Sequence, residues 1–186
     1  SPPGCAERLR ALGARFEVVA APKADPACAI VEPLRLASVP VAHKGGDHVV
    51  TLSGAPLLAC ETALAVAGWV RESVAPLARG HFDEPLLELG VGGGFECRQR
   101  NHQSGAPRSE HSYGRALDVM SFRTPTRNVR VEASGPPGAQ PFIEAVWSSA
   151  CGRFSTALGP RSDPYHATHI HVDMQPRRSP SSRFCE

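Results

Sequence analysis

Ser109-Glu110-His111-Ser112-Tyr113-Gly114-Arg115-Ala116-Leu117-Asp118-Val119-Met120-Ser121-Phe122 decides how the chain is read. From Ala116 to Phe122 the residues around Asp118 are mostly apolar, which predicts a strand. A carboxylate inside such a run is costly unless it is paired or bound to a metal. Gly114 permits a tight bend between His111 and Asp118, so the two side chains can converge although they lie apart in sequence. The plain alternative for Asp118 is a salt bridge to an arginine such as Arg115 or Arg98. Glu110 is left open.

A second segment, His166-Ala167-Thr168-His169-Ile170-His171-Val172-Asp173-Met174, supplies what the first lacks. His169 to Met174 alternates as a half-buried strand, with Ile170 and Val172 towards the core and His169, His171 and Asp173 on the other face. Asp173 there can orient a ring by accepting its free N–H. Two histidines so spaced are common on strand surfaces and mean little alone. If the segments meet, His111, Asp118 and His171 form the two-imidazole, one-carboxylate set that holds a catalytic Zn2+, the fourth position being left to water. His169 and His166 then remain to handle protons. Rival chemistries are poorly represented. Gly92-Gly93-Gly94 is followed by no GK[ST], so it is no phosphate loop, and Ser109 and Ser112 stand in no G-x-S-x-G elbow. His43, His48, His81 and His102 are isolated and read as solvated.

Outward from these segments, 61–77 predicts a helix whose apolar face is Leu64, Val66, Trp69, Val70 and Val74, with Pro76 marking its end. Residues 5–14 and 140–150 also read as helical. Strands are expected at Phe16–Val19, His48–Leu52, Leu86–Val91 and Val129–Glu132. Ala29 to Val41 carries prolines at 33 and 40 and promises short extended pieces at best. Gly135 to Gly138 reads as a turn, 98–110 as a loop, and the tail from Pro176 as held only by Cys185. The expectation is one α+β domain with a central antiparallel sheet flanked by helices and stabilised by disulfides.

At 186 residues the chain fits one domain with a sizeable core. Its net charge of +2 is too small to argue for nucleic acid or an anionic membrane as partner. No apolar run reaches the length of a membrane span. The six cysteines are dispersed without a CxxC pair, against a thiolate zinc site. They suit three disulfides in an oxidising compartment, a periplasm or the outside of a cell. Buried free thiols are the alternative. Sequential pairing is expected: Cys5–Cys28, Cys60–Cys97 and Cys151–Cys185. The first bond would close residues 1–36 as a flap beside a core of 37–186.

The pattern SxHxxGxAxD at 109–118, followed by His169-x-His171, resembles a metallopeptidase superfamily. That superfamily includes D-Ala-D-Ala carboxypeptidases and dipeptidases, the lysostaphin type and penicillin-insensitive murein endopeptidases. The resemblance implies zinc on His111, Asp118 and His171. His166-x-x-His169-x-His171 looks most like the murein endopeptidase branch, which implies His169 as general base or transition-state stabiliser with His166 in support. It also implies a carbonyl-polarising arginine, for which Arg98 is the candidate; the alternative is a structural Arg98 bound to a carboxylate. The sequence departs from carboxypeptidase-like branches at Thr168, where those often carry a catalytic Glu.

Nearly the whole length also resembles the bacterial extensin-like C-terminal domain family. The likeness covers Cys5 to Cys28, the helix after Cys60, residues 94–101 and Cys151-Gly-Arg-Phe with its downstream histidines. Together these resemblances imply a bacterial envelope protein, periplasmic or extracellular, whose zinc hydrolyses an amide in the peptide cross-links of peptidoglycan. Two rivals stand beside that expectation: a zinc-bearing module that binds the cell wall without cleaving it, and a disulfide-stabilised structural protein without metal. The oligomeric state is left open.

Overall fold

The computed structural model describes residues 1–23, 25–132, 138–179 and 181–186. Along the chain run helix α1 (Cys5–Ala11) and strands β1 (Arg15–Val18), β2 (Pro33–Val41), β3 (His48–Leu52) and β4 (Leu57–Ala59). Helix α2 (Cys60–Trp69), a π-helical turn (Val70–Val74) and helix α3 (Ala75–Phe82) follow. Then come β5 (Glu88–Gly93), β6 (Ala116–Arg123), β7 (Asn128–Arg130), helix α4 (Ala139–Ala150), β8 (Thr156–Leu158), β9 (Ile170–Asp173) and β10 (Phe184–Cys185). Among the described residues all ten strands join one sheet, ordered β1-β2-β3-β5-β6-β9-β8-β10, with β4 on β2 and β7 on β6. The α+β class is as expected. The sheet is antiparallel through its centre, β5-β6-β9-β8, and parallel at β3/β5 and β8/β10.

Alternation puts Leu117 and Val119 of β6 and Ile170 and Val172 of β9 into the core, and Asp118 and His171 on the opposite face. Two irregularities in the β5/β6 ladder keep that phase. Gly90 pairs with Ser121, Val91 with Val119 and Gly93 with Asp118, so Met120 and then Gly92 are each an extra residue. The first bulge lets Phe122 and Val119 both face the core although they are an odd number apart. A Cβ on Gly92 would lie 2.6 Å from Met120 Sδ, so a larger residue there would have to push the Met120 side chain aside.

Helix formation continues past Pro76, from Cys60 to Phe82, contrary to the expected stop. The π-helical turn just before the proline is the reason. Its wider spacing bonds the Ala75 N–H to Val70 O, and relieves the clash and missing hydrogen bond that a proline brings to regular helix. Trp69, Val70 and Val74 are buried, and the Trp69 indole donates to Ser149 Oγ at 2.9 Å. Helices α1 and α2 pack together, as do α3 and α4, with α2 on β2 and β4 and α4 on β8. The helices thus cover the core side and leave the Asp118 face open.

Two further expectations are corrected. Pro33 and Pro40 do not break up the segment 29–41, which forms the nine-residue β2. Strand β1 pairs only with Leu34 to Ser38, so Pro40 lies beyond it and removes no ladder bond on that side. The disulfides are Cys5–Cys60, Cys28–Cys97 and Cys151–Cys185; only the last is sequential. Residues 1–36 are therefore no self-closed flap. Strand β1 is part of the sheet, Cys5 is fastened to the start of α2, and Cys28 to the segment after β5. The expected turn at 135–138 lies outside the described residues, apart from Gly138. Three disulfides are the mark of an oxidising, non-cytoplasmic compartment. Among the described residues no helix is long and apolar enough to cross a membrane.

Candidate metal centre

Register brings the first pair together: Asp118 on β6 sits directly opposite His171 on β9. His171 Nδ1 lies 2.9 Å from Asp118 Oδ1, and its Nε2 lies 2.7 Å from Asp173 Oδ2. His111 arrives from a 3-10 turn, Glu110–Tyr113, whose first residue is preceded by Ser109 accepting the His111 N–H. Gly114 closes the turn at a φ of 65°. A Cβ there would stand 2.7 Å from Ala59 N, so the expected bend needs glycine for space as well as for conformation. The ligand atoms of His111, Asp118 and His171 all lie within 4.8 Å of one another.

The hydrogen-bond roles say what belongs between them. Gly94 O lies 2.6 Å from His111 Nδ1, and a carbonyl can only accept, so Nδ1 carries the proton. His111 Nε2 then offers a lone pair. It is buried, has no hydrogen-bond partner, and lies 3.2 Å from Asp118 Oδ2, itself an acceptor. On the other ring Asp173 takes the Nε2 proton and leaves Nδ1 aimed at Asp118. Lone pairs thus converge, and only a proton or a cation relieves their repulsion. Burial alone would raise Asp118, yet the rings of His111 and His171 against it hold it well below the usual carboxylate range. Burial alone would lower His171, but Asp118 and Asp173 outweigh it and push the ring up to about 9. Without a cation, an extra proton on His171 must do the neutralising. The donor set of two imidazoles and a carboxylate, each His held through its other nitrogen, fits zinc.

The other expected residues line the same cleft, about 590 Å³ in volume. His169 lies just before β9, with Nε2 3.7 Å from Asp118 Oδ1, and burial lowers its pKa. His166 is buried, its Nδ1 2.8 Å from both oxygens of Asp163, its ring 5.1 Å from His169 and 5.6 Å from His171. Arg98 is on the cleft wall, paired through Nε with Glu96 at 2.8 Å and donating to Gln99 O. Arg115 is paired with the buried Glu110 at 2.7 Å, which gives Glu110 its partner. Neither arginine pairs with Asp118, so the salt-bridge alternative fails.

Thr168 is exposed and lines a separate depression with Met120 and Arg130. Of the histidines read as solvated, His43, His81 and His102 are exposed. His48 is not solvated: both ring nitrogens are buried without a partner, and burial lowers its pKa. Sequence reasoning missed Asp163. Its signal was available, since Asp163-Pro164-Tyr165-His166 is a turn whose acidic first residue faces the histidine at the fourth position.

A family model described as the C-terminus of extensin-like proteins matches residues 3–186, from before Cys5 through every residue of this centre. The chain belongs to that family. No curated protein and no solved structure matches this chain. The six cysteines of the domain all fall inside the match and are all in disulfides.

Proposed function

We propose that the extensin-like domain is a zinc-dependent hydrolase of amide bonds in peptidoglycan peptide cross-links, an endopeptidase or carboxypeptidase of the periplasm or the cell exterior. One observation carries this reading: the ligand atoms of His111, Asp118 and His171 lie within 4.8 Å of one another in an open cleft beside two further histidines. Bound there, zinc supplies Lewis acidity that polarises a carbonyl and activates water. The likeness of 109–118 and 166–171 to wall-cleaving metallopeptidases supports the choice of substrate.

The chain's own groups then have separate tasks. His169, kept neutral by burial, accepts the proton of the attacking water. Asp163 fixes one ring nitrogen of His166, whose other nitrogen supports His169 in proton handling. Arg98 provides a cation on the wall for the developing oxyanion. Digestion of purified peptidoglycan, with mass analysis of the muropeptides, tests the reading. The wild type is expected to release new peptides. His169→Ala should keep its zinc and lose roughly 10²–10⁴-fold in rate, the usual weight of a general base. Absence of product from the wild type would contradict hydrolysis.

A second reading is favoured by one observation. Every carboxylate lining the cleft is engaged by a basic partner, and Thr168 is turned away, so no acidic side chain is free to act as base. Under it the domain binds wall peptides through its zinc without cleaving them. Sedimentation with peptidoglycan and no release of peptide would establish that alternative.

A further inference from the structure

The acidic groups of the cleft are all engaged, but its cations are not. Glu96 is taken by Arg98, Glu110 by Arg115, Asp163 by His166, and Asp118 and Asp173 by the metal-centre histidines. Arg177, on the same cleft, makes no ion pair with any described carboxylate. Its Nη2 donates to the buried Thr156 hydroxyl at 2.7 Å, and its guanidinium stands 6.0 Å from the centre of the Phe184 ring. Its Nε is buried with no acceptor. A guanidinium so placed is positioned by neighbours that do not neutralise it, which leaves its open side for a planar anion from the cleft. Its location is also specific. Thr156 pairs across β8/β9 with Asp173, which holds His171, so Arg177 is anchored one strand from the metal centre.

We infer that Arg177 is the specificity-determining cation of this cleft, and that it docks a free carboxylate of the peptide substrate beside the amide to be cleaved. The inference rests on the proposed hydrolase only for the position of that amide; docking itself needs no turnover. The carboxylate can be a chain terminus or an acidic side chain, since both present the same planar acceptor to a guanidinium fork. Arg98 is paired through Nε with Glu96 and, in the proposed mechanism, turns its remaining charge to the oxyanion. Arg100, the third arginine of the cleft, is exposed and serves as a control.

Calorimetric titration of zinc-loaded protein tests this, in a His169→Ala background so that binding is not mixed with cleavage. Three probes are used: acetyl-D-Ala-D-Ala, its terminal amide, and acetyl-D-Glu-D-Ala amide, whose only carboxylate is a side chain. At least one acid should bind roughly tenfold tighter than the carboxylate-free amide, and which one does so names the source. Arg177→Gln should reduce the ratio to about one, Arg177→Lys should restore part of it through charge without the fork, and Arg100→Gln should leave it unchanged. Unfolding temperatures of the variants separate lost docking from lost structure. Equal binding of all three probes would overturn the inference, as would no binding at all, a ratio that survives Arg177→Gln, or one lost in Arg100→Gln. Docking without any release of muropeptides by the wild type would sink the hydrolase reading and leave this inference standing.

Discussion

His111 and His171 present opposite ring nitrogens to Asp118, Nε2 from one and Nδ1 from the other, because a different acceptor occupies the remaining nitrogen of each. Those acceptors set the tautomers, which makes Asp173 as consequential as a ligand. Asp173→Asn keeps the shape but removes the charge that makes His171 a strong donor. Zinc affinity, measured by competition with a chelator, should fall about 10–100-fold; unchanged affinity would mean that Asp173 does not tune the centre. At this scale the sequence was informative. An aspartate in an apolar run and the alternation through His169, His171 and Asp173 named the converging residues. Asp163 escaped because its partner is set by a short turn; a carboxylate for Arg98 was one of the two expectations, but Glu96 as that carboxylate was not legible because loop contacts carry no periodicity.

Elements were legible where alternation or helical spacing was clean, as in β3, β6, α4 and β9. They were misjudged where proline was taken as a breaker without its surroundings. Pro40 is tolerated because the neighbouring strand has already ended, and Pro76 because a π-helical turn precedes it. Neither circumstance is written locally in the sequence. Gly114, by contrast, was both visible and demanding. Gly114→Ala forces a positive φ on a residue with a side chain and drives a Cβ against Ala59. It should cost about 1–3 kcal/mol in denaturant unfolding and weaken zinc binding by displacing His111. Wild-type stability with wild-type zinc affinity would show that the turn does not position that ligand.

Across the whole molecule, the helices shield one face of the sheet and the candidate metal centre occupies the other, with disulfides fastening the segments at its edge. Cys28–Cys97 joins the loop after β1 to the segment that carries Glu96 and Arg98 into the cleft. Such long-range pairing follows from how distant strands pack, which spacing along the chain does not encode. The convergence of the two histidine-bearing segments is the claim on which the rest depends. Elemental analysis of the mildly purified, disulfide-intact protein tests it most directly, alongside Asp118→Ala. About one zinc per chain is expected in the wild type, and well under one in the variant. A wild type that carries no more zinc than Asp118→Ala would contradict the account.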